Sequence, residues 1–253
     1  MLAHIHADRG TGRAVVYVPG IDATGELMLG TSERIESEFR LLRLAYTADV
    51  EDDSYVDLAA SIARAVREAG VVRALVLGES FGVAVALRTA LDHPDLVAGL
   101  ALVNGFAHYR RRAALAWSRF SAPLVPTWAF QLGRSWFAAG KLFAKDVDED
   151  TLRRFHELPP SEGFDQAYMR RMAMIASLDL RPELHRIAQP VSLFASTDDH
   201  VVASLEEARE MAALLPNAEL HVLEGAGHVV LPMPDEPWVD RLRELEARAF
   251  SHA

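Results

Sequence analysis

The segment that most constrains the fold is an apolar strand that runs directly into a tight turn flanked by glycine. Residues 74–77 are all apolar, and they are followed by Gly78-Glu79-Ser80-Phe81-Gly82. A largely apolar run over 83–91 comes next and is rich in alanine, the strongest helix former. A strand, a sharp turn and a helix in this order place the serine hydroxyl at the tip of the turn, above the end of a sheet. The motif predicts a nucleophilic Ser80, although taken alone it also fits a glycine-rich turn in another α/β protein.

Apolar strands alternate with helical segments along much of the chain. The predicted strands cover residues 14–18, 41–46, 73–78, 96–103, 191–195 and 219–223, and the predicted helices cover 54–68, 83–91, 203–215 and 236–249. Such alternation predicts an α/β fold with a mostly parallel sheet that is wound by right-handed crossovers. Residues 2–6 alternate apolar and polar side chains before the first of these strands, and turn residues lie between the two. The pair predicts a hairpin at the sheet edge.

The composition and the hydrophobic pattern of the sequence change between residues 106 and 186. Three of the four tryptophans lie here, prolines break the segment into short helical pieces, and little of it has the pattern of a strand. A segment of this length is too long for a connection within a compact domain, so we predict an inserted helical cap. The expected division is a core over 1–105, the cap over 106–186 and the rest of the core over 187–253. Cap aromatic residues usually pack in a core, but together they suggest an apolar roof over the serine.

Length, charge and cysteine content limit the classes of function. A chain of 253 residues suits one large α/β domain that carries an insertion. The formal net charge of −10 argues against nucleic acid or an anionic membrane surface as a partner. No run of eighteen apolar residues predicts a membrane span, and no signal peptide is visible at the N-terminus. The absence of cysteine excludes a cysteine nucleophile and fits a cytoplasmic protein.

Candidate partners for the serine follow two later strands. A serine nucleophile needs a base, and the base needs an acid that orients it. In an open parallel sheet, reactive groups gather beyond the carboxyl ends of the strands. Asp198 and Asp199 follow the strand at 191–195, and His228 follows the strand at 219–223. The order Ser, Asp, His matches one known order of serine hydrolase triads, and either aspartate fits it.

These motifs together resemble the α/β-hydrolase superfamily over nearly the whole chain. The resemblance rests on Gly78-Glu79-Ser80-Phe81-Gly82, on Ser196-Thr197-Asp198-Asp199-His200-Val201-Val202 and on Gly225-Ala226-Gly227-His228. The acid segment of the family usually reads Gly-x-x-Asp-x-x-Val, which places the acid on Asp199, with Asp198 as the alternative. Ser196 stands where the family commonly has glycine. The resemblance implies an α/β-hydrolase fold in which Ser80 attacks a carbonyl carbon, His228 takes its proton and Asp199 orients the imidazole.

The resemblance also implies an oxyanion hole made of two backbone N–H groups. One belongs to Phe81, at the start of the helix after the serine, and the other is expected from Ile21, with Asp22 next best. The family often has His-Gly in the second loop where this chain has Pro19-Gly20, but the donor is main chain in either case. The loop sequence at 19–25 resembles that of some bacterial esterase-like proteins and plant acyl-ester synthases, which points to acyl esters. A haloalkane dehalogenase would carry aspartate in the turn of the Gly-x-Ser-x-Gly motif, so Ser80 argues against that chemistry.

The resemblance thus implies a serine hydrolase that cleaves a carboxylic ester of a small apolar acyl substrate through an acyl-enzyme. No cofactor and no metal are expected. A thioesterase or acyltransferase would use the same triad, so an apolar thioester is an alternative substrate. A hydrolase-fold protein that binds a small ligand without turnover is the alternative from another class. Acyl-chain length and oligomeric state cannot be predicted from the sequence.

Several further residues allow both a functional and a purely structural interpretation. The arginine pairs and triplet of the predicted cap fit an anion-binding entrance, but a solvated helix face is the favoured interpretation. Asp22 fits either a substrate contact or an Asx turn, and the turn is favoured. His4-Ile5-His6 has ligand-like spacing, but no cluster of carboxylate or cysteine partners is recognised around it, so a metal site is not expected. The arginines concerned are Arg110, Arg111, Arg112, Arg153, Arg154, Arg170 and Arg171.

Overall fold

A computed structural model of the chain describes residues 2–47, 54–111, 142–144, 147–158 and 164–251. Within these residues, seven strands form one sheet in the order β1-β3-β2-β4-β5-β6-β7. The strands are β1 Ala3–Arg9, β2 Ala14–Val18, β3 Arg40–Tyr46, β4 Ala74–Glu79, β5 Val97–Val103, β6 Val191–Ser196 and β7 Ala218–Leu223. Strands β2 to β7 pair in parallel, and β1 is antiparallel to β3. The predicted α/β fold with a mostly parallel sheet is confirmed.

The predicted hairpin between the first two strands is wrong. Strand β1 pairs with β3, from Ala3 opposite Tyr46 to Arg9 opposite Leu41, and β2 lies between β3 and β4. Strand β2 is apolar and almost wholly buried, so a place inside the sheet pairs both of its edges and covers both of its faces. Strand β1 has polar, exposed positions along its length and therefore suits the edge.

Helices cover both faces of the sheet. They are α1 Thr31–Glu36, α2 Tyr55–Glu68, α3 Phe81–Asp92, α4 Glu149–Glu157, α5 Phe164–Ser177, α6 Ser204–Leu214 and α7 Trp238–Phe250, with a 3₁₀ helix at Arg181–Arg186. One buried cluster packs α2, α3 and α6 against the sheet, and a second packs α7 and residues around α1 against the other face. The side chains of β4 alternate between them: Val76 faces the first cluster, and Leu75 and Leu77 face the second.

Local signals set the ends of the predicted helices. Helix α2 begins after Ser54, whose hydroxyl oxygen accepts a hydrogen bond from the Asp57 N–H (3.0 Å), as an N-cap does. The chain leaves this helix at Gly70, which has φ of +77°. Helix α1 was not predicted, because it has only six residues and no side-chain cap.

The described part of the predicted cap is helical and includes α4, α5 and the 3₁₀ helix. Trp117, Trp128 and Trp136 lie outside the described residues. The boundaries at 106 and 186 therefore stay a prediction. No helix among the described residues is long and apolar enough to cross a membrane.

Candidate active site

The turn after β4 holds Ser80 in a strained backbone conformation. Ser80 has φ of 54° and ψ of −118°, a region that non-glycine residues rarely adopt, and it precedes the first residue of α3. A side chain at Gly82 would overlap the Val18 carbonyl oxygen and lie 2.6 Å from that of Pro19. The glycine after the serine is therefore required by the close approach of β2 to the start of α3. The Ser80 N–H donates to the Val103 carbonyl (2.9 Å), which ties the turn to β5.

The three residues predicted to act together lie in one hydrogen-bonded chain. The Ser80 Oγ is 2.9 Å from His228 Nε2, and His228 Nδ1 is 2.7 Å from Asp199 Oδ2. A carboxylate only accepts hydrogen bonds, so Nδ1 carries the proton and Nε2 of the neutral ring accepts from the serine hydroxyl. His228 and Asp199 are buried, whereas Ser80 is partly exposed. The arrangement can pass the serine proton to the imidazole.

Asp199 is the aspartate in contact with His228, and Asp198 is exposed on the same turn. Burial alone would raise the pKa of the Asp199 carboxyl, but the charge of His228 and the hydrogen bonds to Asp199 outweigh it and lower the pKa. Its Oδ1 accepts from the N–H groups of Val201 (2.8 Å) and Val202 (2.9 Å), and its Oδ2 also accepts from the Ser204 hydroxyl. These bonds keep the carboxylate ionised and oriented toward the imidazole.

Asn104 links the loop that contains Gly227 and His228, called the histidine loop below, to the sheet. The sequence did not reveal this role. Its Nδ2 donates to the carbonyls of His228 (2.8 Å) and Gly227 (3.1 Å) and to Ser196 Oγ (2.8 Å), and its Oδ1 accepts from the Ser196 N–H (2.8 Å). Asn104 is fully buried, with φ of 47°. Its place directly after β5 is visible in the sequence, but its partners lie 92 to 124 residues away.

The loop after β2 lies beside the serine, as the predicted oxyanion hole requires. A side chain added at Gly20 would place its Cβ 3.6 Å from the Cβ of Ser80. The turn closes with a hydrogen bond from the Ala23 N–H to the Gly20 carbonyl (3.2 Å). Phe81 is the first residue of α3, so its N–H has no partner within the helix. The structure thus brings the loop that contains Ile21 close to Ser80, and Phe81 directly follows Ser80 at the start of α3.

Asp22 forms the favoured Asx turn. Its Oδ2 accepts from the Thr24 N–H (3.0 Å) and from the Thr24 hydroxyl (2.6 Å). Its Oδ1 is buried and has no hydrogen-bond partner among the described residues.

The cap arginines do not all form a solvated face. Arg153 and Arg110 are exposed and pair with acidic side chains, in agreement with the favoured interpretation. Arg171 is 1% exposed and donates from Nη1 to the Ile21 carbonyl, so the solvated-face interpretation is wrong for this residue. Burial of a guanidinium requires polar partners, and the loop after β2 supplies one. Arg112 lies outside the described residues.

Glu79, directly before the serine, is buried in the sheet. Its Oε2 accepts from the Tyr17 hydroxyl (2.7 Å), and its Oε1 has no partner among the described residues. Burial is the main cause that raises the pKa of Glu79 from 4.5 to about 7; Asp22 adds to the rise, and Tyr17 and His228 reduce it. The motif gave no reason to expect an ionisable residue to matter here.

His6 has a carboxylate partner that was not expected: Glu26 contacts its Nε2. No group of three or more potential metal ligands is found among the described residues.

Comparison with known proteins identifies the family. The model of the alpha/beta hydrolase fold matches residues 29–232, well over half of the chain. The chain belongs to the α/β-hydrolase family. It is therefore a hydrolase-family protein of the α/β fold. Proteins of Enterobacter cloacae and of Escherichia coli O157:H7 that bear the name of a carbamate hydrolase, RutD, are 26% and 27% identical to it over 230 residues. Each match covers 85% of this chain and 84% of the relative.

Solved structures of the family share the fold at lower sequence identity. A thermophilic esterase from Thermogutta terrifontis superposes with a TM-score of 0.81 at 19% identity and covers 96% of this chain and 92% of its own. An enol-lactonase from Burkholderia xenovorans LB400 has a TM-score of 0.81 at 17% identity, with 97% and 96% covered. At such identities, the likeness supports the fold alone.

Proposed function

We propose that this protein is a serine hydrolase that cleaves a carboxylic ester of a small apolar acyl substrate through an acyl-enzyme. The observation that carries the proposal is the hydrogen-bonded chain from the Ser80 hydroxyl through His228 to the buried Asp199 carboxylate, at 2.9 and 2.7 Å. A nucleophile that contacts a base, which in turn contacts an orienting acid, is the arrangement that activates serine toward a carbonyl carbon.

In the proposed first half-reaction, Ser80 Oγ forms a bond to the substrate carbonyl carbon while His228 Nε2 takes the hydroxyl proton. The tetrahedral intermediate collapses when the imidazolium gives that proton to the leaving alcohol, which leaves an acyl group on Ser80. In the second half, His228 deprotonates a water molecule that attacks the acyl carbon. The bond from that carbon to Ser80 Oγ then breaks as the imidazolium returns the proton to Oγ, and the acid product departs. Asp199 stabilises the imidazolium in both halves without taking the proton itself.

The intermediate carries a negative oxygen, and two backbone N–H groups are proposed to bind it. The Phe81 N–H lies at the start of α3, where the helix dipole also favours negative charge. The Ile21 N–H belongs to the loop that adjoins the serine. Donors fixed by the backbone need no rearrangement when the charge develops, so they stabilise the transition state more than the ground state.

A second candidate activity is cleavage of a carbamate. The relatives named for carbamate hydrolysis are 26% to 27% identical and match this chain over most of its length. A carbamate is also attacked at its carbonyl carbon, with an amine or an alcohol as the leaving group, so the same residues would serve. A thioesterase or acyltransferase differs only in the substrate or in the group that resolves the acyl-enzyme.

Steady-state kinetics with p-nitrophenyl esters of two to twelve carbons, matched acyl thioesters and a p-nitrophenyl carbamate separate these activities. We expect kcat/KM to be highest for a short or medium ester and to fall by about 10⁴-fold or more in Ser80→Ala, because the nucleophile is lost. Ser118→Ala is a suitable control, because it removes another serine and leaves Ser80 in place. Highest turnover of the carbamate would favour the second candidate. Equal turnover by Ser80→Ala and wild type would overturn the proposal.

A further inference from the structure

The loop at 19–25 is held mainly by the core of the protein. The Tyr46 N–H donates to the Ala23 carbonyl (3.0 Å), and the Tyr46 hydroxyl donates to the Pro19 carbonyl (3.1 Å). The Ala23 N–H and the Asp22 side chain close the turn from within. Ala23 has φ of 67°, an unfavourable conformation for alanine, so these bonds stabilise a loop that would relax without them. The Ile21 carbonyl, in contrast, is bound by a residue of the predicted cap.

The partner of the Ile21 carbonyl is Arg171, from the middle of α5 in the predicted cap. Its Nη1 donates to that carbonyl, and its side chain is as buried as the core residues around it. Burial raises the pKa of the Tyr46 hydroxyl, which itself binds the loop, and the charge of Arg171 counteracts part of that rise. A buried cation costs several kcal/mol unless it is well paired, so chance placement of an arginine here is improbable on physical grounds.

From this contact we infer that Arg171 is a positioning residue that couples the cap to the oxyanion hole. Its hydrogen bond to the Ile21 carbonyl fixes the orientation of the loop whose N–H group is proposed to bind the oxyanion. The inference rests on the proposed function for its effect on catalysis, but the link between cap and loop stands on the hydrogen bond itself.

The test compares Arg171→Met, which keeps the length but removes charge and donors, with Arg171→Lys, which keeps the charge. The matched control is Arg153→Met, an exposed cap arginine that pairs only with acidic residues of its own helix among the described residues. Kinetics are combined with the inhibition constant of a trifluoromethyl ketone, which forms an oxyanion on Ser80, and with that of the corresponding alcohol, which does not. We expect Arg171→Met to lower kcat/KM by roughly 10- to 100-fold, below the full loss of one oxyanion donor.

The ketone should lose affinity by the same factor, and the alcohol should bind all three variants alike. A purely structural role would instead lower the melting temperature without separating the ketone from the alcohol. The kcat/KM and the ketone affinity of Arg171→Lys should lie between those of wild type and Arg171→Met. Arg171→Lys also replaces Arg171→Met as the test variant if Arg171→Met fails to fold. Unchanged ketone affinity in folded Arg171→Met and Arg171→Lys would overturn the inference.

Hydrogen exchange provides a readout that does not depend on activity. Loss of Arg171 should speed exchange of the Ala23, Thr24 and Tyr46 amides, which the folded loop protects, while Arg153→Met leaves them unchanged. A wild-type protein without turnover would contradict the proposed function, and exchange would still decide the link between cap and loop. Equal exchange of these amides in all variants would show that Arg171 does not hold the loop.

Discussion

Replacement of Asn104 by alanine should destabilise the protein and displace the histidine loop. The two hydrogens of the buried Nδ2 are shared among three acceptors at 2.8 to 3.1 Å, and Oδ1 accepts one further hydrogen bond of 2.8 Å. At about 1 kcal/mol net for each of these three hydrogens, Asn104→Ala should lower the free energy of unfolding by about 3 kcal/mol. Asparagine also tolerates φ of 47° better than alanine does, which adds to the loss.

Urea denaturation followed by circular dichroism measures this change. The loss is easily detected because it is a large fraction of the unfolding free energy of a domain, which is about 5–15 kcal/mol in total. A loss of about 3 kcal/mol should lower the melting temperature by about 10 °C in a chain of this size. The proposed esterase activity should also fall at temperatures at which the variant is folded, because the lost contacts hold the carbonyls of Gly227 and His228.

Two variants serve as controls for Asn104→Ala. Asn104→Asp keeps the shape and the acceptor for the Ser196 N–H but removes the donors, so it should be destabilised as well. Asn217→Ala alters the other asparagine of the chain, whose side chain makes one long, exposed hydrogen bond of 3.4 Å to Ala188, and should change stability by less than about 0.5 kcal/mol. If Asn104→Ala were as mild as Asn217→Ala, the proposed bracing of the histidine loop would be refuted.

Three further predictions follow from the site. Asp199→Asn should lower kcat by about 10⁴-fold because the imidazole tautomer is lost, whereas the exposed Asp198→Asn should change it little; the opposite ranking would assign the acid to Asp198. The pKa of Glu79 is raised from 4.5 to about 7, so the native state holds the extra proton between these values and stability falls as pH rises through that window. In urea denaturation, the unfolding free energy of Glu79→Gln relative to that of wild type should therefore rise by about 3 kcal/mol between pH 4.5 and 8. A relative stability that stays constant with pH would contradict the burial of this charge. Gly82→Ala should lose stability by about 3 kcal/mol or more by the same assay, because its Cβ meets the carbonyls of Val18 and Pro19, and a neutral effect would mean that the turn is looser than described.

The strand, turn and helix that position Ser80 could be predicted from the sequence because their signals are local. A buried strand, the Gly-x-Ser-x-Gly turn and an apolar helix lie within twenty residues, and each element restricts the next. The parallel order of the sheet followed from alternation of strands and helices along the chain. The position of β1 did not, because hairpin formation was inferred from proximity in sequence, whereas burial of β2 on both faces decided the pairing.

Contacts between distant segments account for what the sequence did not reveal. Asn104 contacts residues 92 to 124 positions away, and nothing in an Asn-Gly pair indicates this buried hydrogen-bond network. Arg171 has the pattern of a solvated helix face, because the loop that buries it lies 150 residues earlier. Only tertiary packing places a carboxylate beside His6 or raises the pKa of Glu79, so spacing rules cannot anticipate these environments.

The central claim is that Ser80 is activated by His228 beside an oxyanion hole. Labelling of the folded protein with a fluorophosphonate, followed by peptide mass spectrometry, tests it most directly, because such a probe reacts with activated serines and not with ordinary hydroxyl groups. Our account predicts one adduct, on Ser80, that is lost in His228→Ala and retained in Asp198→Asn. An unlabelled Ser80 in folded protein, or equal labelling in His228→Ala, would contradict the account and favour a protein that binds a small ligand without turnover.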